Sequence, residues 1–131
     1  MRSREGEPPN ALLNYAYAIL RAATARALMG SGLLPAFGLF HRNRYNAFPL
    51  ADDIMEPYRP FVDDIVYMLH TNRAATTLDK DTKAALLRIL FADVRMDNKT
   101  HPLEVALSLT TASLVRALKD NTQHLRTPSF P

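Results

Sequence analysis

Cysteine is absent from the chain. Disulfides, thiolate metal sites and cysteine nucleophiles are thereby excluded, and the composition fits a reducing, cytoplasmic setting. No uninterrupted apolar run reaches membrane-spanning length. The longest apolar stretch, residues 11–32, is broken by Asn14, Arg21 and Arg26. Charges near the centre of such a stretch argue against a membrane span. The opening MRSREGEPPN is polar and charged and has no apolar core, so no signal peptide is expected. Several catalytic templates are missing as well: the lysine-bearing phosphate loop, the glycine-rich dinucleotide fingerprint, the His-Glu-x-x-His zinc motif and the Gly-x-Ser-x-Gly nucleophile elbow. No helix-turn-helix spacing, internal repeat or low-complexity tract is visible.

What remains is one domain's worth of chain: 131 residues, 47% of them hydrophobic. A chain of this size buries roughly two thirds of its unfolded surface, enough for a core. The formal net charge of +3 hints at a polyanionic partner. Its distribution says more. Residues 1–50 hold six arginines and two acids, whereas residues 51–64 hold five acids and one arginine. An acidic island between basic flanks suits cations held beside a polyanion. The plainer alternative is a solvated acidic helix face.

Periodicity and punctuation predict an all-α helical bundle with one short β-hairpin signalled near residues 94–100. Residues 1–9 read as a linker. Asn10 can cap a long Ala- and Leu-rich helix, apolar nearly all round and therefore central, which Gly30 and Gly32 stop. LADDIMEPYRPFVDDIVYMLHTN reads as a helix that Pro57 and Pro60 must kink or divide near residues 56–60. DKDTKAALLRILFA is amphipathic, with Asp79 as its cap. LEVALSLTTASLVRALKDN is the last long helix. The helical lobe is therefore expected over residues 10–120, with a loose tail over residues 121–131.

The concentrated chemistry is HRNRYNAFPLADDIME, His41 through Glu56. Asp53 and Glu56 stand three apart on an expected helix and share a face; Asp52, four from Glu56, competes for it. Two hard oxygen donors and an imidazole suit Mg²⁺ or Mn²⁺. Such an ion polarises a phosphodiester and activates a hydroxyl. Arg42 and Arg44 are placed to contact phosphate, and Arg59 is a further candidate. The plain readings stand beside these: a surface histidine, salt-bridged or solvated acids, and a solvated face for Asp63 and Asp64. Tyr15 and Tyr17 read as core, and Arg21 and Arg26 as paired or snorkelling.

Two long blocks, NYAYAILRA and HRNRYNAFPLADDIMEPYRPFVD, together with the downstream DVRMDNKTHPLEVALSLTTASLVRAL, resemble the helical lobe of the CRISPR-associated integrase family called Cas-one, in its type II form. The resemblance covers nearly all of residues 8–120. It implies a metal held by a Glu, a His and a second acid, with the His fifteen positions before the acid. On this sequence those two are His41 and Glu56, with Asp53 as support. It implies integration of prespacer DNA into the CRISPR repeat by attack of a 3′-hydroxyl on a phosphodiester, in a homodimer docked on a small Cas-two partner. It also implies that the family's N-terminal β-rich domain and first metal-binding Glu lie outside this sequence, since Glu5 sits too close to PPNALLNY to take that role. Ala16 and Phe40 depart from the family's usual Gly and His. Two other readings compete: a non-catalytic helical module for DNA binding or assembly, and an inactive remnant.

Overall fold

Asn10 opens a helix of 21 residues, α1 (Asn10–Gly30). Alanine and leucine dominate it, and both favour helix intrinsically. Leu12, Ala16, Leu20, Ala23, Ala27 and Leu28 are buried, at spacings that keep them on one stripe. Thr24 lies buried in that stripe but donates its hydroxyl to the Leu20 carbonyl at 2.8 Å, so no donor is orphaned. The helix stops where expected. The Ser31 amide donates to the Ala27 carbonyl at 3.0 Å, and Gly32 follows at φ 93°, a conformation natural to glycine. The computed structural model describes residues 10–32, 52–72, 77–120 and 125–131.

Residues 52–55 are helical and run into a 3₁₀ turn, Glu56–Tyr58, and then into α2 (Arg59–Asn72). The expected kink is therefore a tightened turn. Its cause is local. Pro60 has no N–H to give the Glu56 carbonyl, so the Arg59 N–H bonds it instead, one residue earlier. Pro57 sits at the start of the turn, where a missing N–H does least harm.

Asp79 caps α3 (Lys80–Leu87), accepting from the Thr82 amide at 2.8 Å. That backbone bond holds the Asp79 carboxyl below its ordinary value. The expected helix tightens into a second 3₁₀ turn, Arg88–Phe91, before the hairpin of β1 (Asp93–Met96) and β2 (Lys99–Pro102). The strands are antiparallel, with Val94 opposite His101 and Met96 opposite Lys99. Asp97 and Asn98, at φ 54° and 68°, make the two-residue connection that matches strand twist. Val94 and Met96 point into the core. β2 leads directly into α4 (Leu103–Asp120). Helix α1 is central: it packs against α2, α3, α4 and the Arg88–Phe91 turn. No helix of the described residues is long and apolar enough to cross a membrane.

The tail differs from expectation. Residues 125–131 are tied down rather than loose. Ser129 exchanges two backbone bonds with Arg95, at 2.8 and 2.9 Å, on the β1 edge opposite β2. Phe130 stacks on Phe61 of α2, ring centroids 4.3 Å apart. Arg126 bonds Asp97 and gives its amide to Ser113 Oγ at 3.0 Å.

Arg126 also completes a buried polar chain. Thr110 has one hydroxyl proton and donates it to the Arg126 carbonyl at 2.7 Å. Tyr58, fully buried, is therefore the donor in its 2.7 Å bond to Thr110. Burial pushes the Tyr58 phenol up to about 12 from 10.0. The folded state thus holds this proton more tightly than the unfolded chain. The stabilisation is fully present below pH 10 and is lost as pH rises through about 12. Tyr58→Phe is expected to cost about 1 kcal/mol near neutrality. In chemical denaturation, the wild type's advantage over Tyr58→Phe should shrink between pH 10 and 12; a constant gap would contradict this account.

Candidate functional site

The acidic segment lies along one side of α1, and its carboxylates meet different fates. Tyr17 and Arg21 stand four apart on α1 and so share a face. Arg21 donates to Asp52 Oδ1 at 3.1 Å. The Tyr17 hydroxyl donates to Asp63. These two contacts tie both ends of the 52–63 segment to α1.

Between them, Glu56 stands on the 3₁₀ turn with its side chain 65% exposed. Arg59 Nε lies 3.6 Å from Glu56 Oε2, an ion pair but longer than a hydrogen bond. The Arg59 guanidinium sits 5.5 Å from the Tyr17 ring centroid, within cation–π range. Asp53 is exposed, as is Asp64.

Of the residues singled out from sequence, Asp53, Glu56 and Arg59 therefore fall together on one short stretch beside α1. His41, Arg42 and Arg44 lie outside the described residues. Arg59, expected at nucleic acid, is engaged within the fold by Glu56 and Tyr17. Arg21 is paired, as its position suggested. Asp63 is exposed but takes the Tyr17 hydroxyl, a partner that its place beyond the proline break did not reveal. Tyr17 packs against the core, as expected, yet its polar end reaches the acidic segment. The available signal was its four-residue spacing from Arg21.

Among the described residues, no three His, Asp or Glu side chains form a group able to hold a metal ion. The donors present are nonetheless of the right chemistry. Asp53 and Glu56 offer hard carboxylate oxygens at the surface, which suit Mg²⁺ or Mn²⁺. An open groove of about 610 Å³ lies elsewhere, between α1 and α4, and is lined by Ala23, Arg26 and Ala27 on one side and Glu104, Val105 and Ser108 on the other.

The Arg21–Asp52 pair has side chains 47% and 44% exposed, so solvent screens it. A double-mutant cycle with Arg21→Ala and Asp52→Ala should give a coupling below about 1 kcal/mol, smaller still in 1 M salt. A salt-insensitive coupling above about 2 kcal/mol would show that the pair is not the surface contact described.

The family model for CRISPR associated protein Cas1 matches residues 1–100. The CRISPR-associated endonuclease Cas1 of Neisseria meningitidis serogroup C (strain 8013) is 37% identical over 123 residues, covering 92% of this chain and 40% of the relative. The CRISPR-associated endonuclease Cas1 2 of Pyrobaculum aerophilum is 33% identical over 123 residues, covering 89% of this chain and 40% of the relative. A CRISPR-associated exonuclease Cas4/endonuclease Cas1 fusion from Geobacter sulfurreducens is 41% identical over 66 residues, half of this chain and 12% of the relative. The chain thus spans well under half the length of these relatives. With a matched family model and two relatives aligned over most of its length, this chain belongs to the Cas1 family of CRISPR-associated proteins.

Proposed function

We propose that this chain is the helical portion of a metal-dependent DNA endonuclease and integrase that inserts spacer DNA into a CRISPR array. The observation that carries the reading is the position of Glu56. This acid, to which the sequence resemblance assigns a metal-ligand role, stays exposed on a proline-fixed turn, while its neighbours Asp52 and Asp63 are engaged by α1.

In this reading His41 and Glu56 are ligands, Asp53 supports them, and a further Glu comes from sequence beyond this chain. A bound Mg²⁺ or Mn²⁺ supplies Lewis-acid polarisation of the phosphodiester and lowers the pKa of the attacking hydroxyl. The residues of the chain do the rest. Arg42 and Arg44 hold the DNA backbone. The exposed carboxylates of Asp53 and Glu56 offer oxygens without first breaking a buried contact. The 3′-hydroxyl of the incoming strand gives up its proton and forms the new bond to phosphorus in the repeat, and the repeat strand's own 3′-oxygen leaves with a proton as the free hydroxyl. The partners are prespacer and repeat DNA, a second copy of the intact protein and the Cas-two protein, in the cytoplasm.

A site with two protein ligands and incomplete orienting partners binds weakly. In Mn²⁺ titrations followed by electron paramagnetic resonance, a dissociation constant on the order of 0.1–1 mM is expected, as for oxygen-ligand sites of low charge. Glu56→Ala should weaken it by about tenfold or more. An equal, negligible response in both proteins would favour the non-catalytic DNA-binding or assembly module. Strand transfer by this chain alone should be undetectable. Robust Mn²⁺-dependent transfer that disappears in His41→Ala would overturn the incomplete-site view.

A further inference from the structure

An exposed glutamate ordinarily samples several rotamers, and a metal ligand that must first be ordered binds more weakly. Glu56 has an unusual neighbour. The Arg59 side chain is about a third exposed, yet its Nε is buried and makes no hydrogen bond. A buried donor on a charged group is unfavourable without an acceptor. The carboxylate at hand is Glu56, 3.6 Å away through Oε2. A small rotation of Glu56 would satisfy that donor, so the arginine draws this one carboxylate toward one orientation. Pairing through Oε2 leaves Oε1 for a cation.

Arg59 is itself held. Its guanidinium lies over the Tyr17 ring, and that ring is anchored at its far end by the hydrogen bond from its hydroxyl to Asp63. The three contacts run in series from α2 through α1 to the turn: Asp63 to Tyr17, Tyr17 to Arg59, Arg59 to Glu56. Lysine could not replace the arginine equally, because stacking on the ring while presenting an N–H sideways needs a planar fork.

We infer that Tyr17 is a positioning residue, which acts through Arg59 to hold the Glu56 carboxylate in one orientation. Its use to the protein rests on the reading of Glu56 as a metal ligand. The ordering itself does not, and it can be measured without metal.

The test is the set of three-bond couplings that report χ1 of Glu56 by nuclear magnetic resonance in the metal-free protein. Wild type should show one dominant rotamer. Arg59→Met and Tyr17→Leu should show averaging, Arg59→Lys should restore order only partly, and Tyr17→Phe should fall between wild type and Tyr17→Leu. Amide spectra of α1 confirm that each variant is folded. If Tyr17→Leu does not fold, Tyr17→Phe and Arg59→Met carry the test. Mn²⁺ affinity should fall about tenfold in Arg59→Met, the scale of losing a group that orients a ligand. Averaged Glu56 couplings in wild type, or unchanged couplings in Arg59→Met, would overturn the inference. An ordered Glu56 whose removal leaves Mn²⁺ binding unchanged would overturn the metal reading instead.

Discussion

The apolar stripe of α1, from Leu12 to Leu28, is the surface on which the other helices are assembled. Its alanines at positions 16, 23 and 27 let neighbouring backbones come close, and its leucines fill the remaining space. Once that stripe is buried, the polar flank of the same helix has a fixed place. Tyr17 and Arg21 then meet the segment that carries the acids. The positions of Asp52 and Asp63 thus follow from hydrophobic packing before any charge is considered, and the ion pairs add orientation more than stability.

The second constraint is covalent. Pro57 and Pro60 cannot donate to a regular helical ladder, and the backbone answers with a 3₁₀ turn at Glu56–Tyr58. The turn does two jobs at once. It points Tyr58 into the core, where Thr110 and Arg126 satisfy its hydroxyl, and it leaves Glu56 at the surface. One short stretch therefore joins the core to the proposed metal ligand. The tail strengthens the same region, because Arg126 completes the Tyr58 chain and Phe130 covers Phe61 two residues beyond Arg59.

Much of this was legible in the sequence because it is set locally. The length and centrality of α1, the stop at Gly30 to Gly32, the Asp79 cap, the proline break and the hairpin at Asp97-Asn98 each follow from residues within a few positions of one another. The contacts that escaped are long-range. Tyr17 meets Asp63 across 46 residues, and Arg126 meets Asp97 across 29. Nothing in the polar, proline-bearing tail announces that Ser129 will pair with the β1 edge, since that depends on where the edge lies. The candidate site divides the same way. Asp53 and Glu56 were visible as neighbours on one turn, whereas the link from Tyr17 through Arg59 appears only when α1 and the turn are side by side. His41, Arg42 and Arg44 lie outside the described residues.

The proposed function rests on Glu56, and it stands or falls on whether a divalent cation goes there. Anomalous diffraction from crystals of this chain grown with Mn²⁺ is the most direct measurement. The account predicts a manganese peak within roughly 2.5 Å of a Glu56 carboxylate oxygen, the distance range of oxygen-ligated divalent ions. Manganese bound solely at Asp63 or Asp64, or nowhere on residues 52–56, would contradict it.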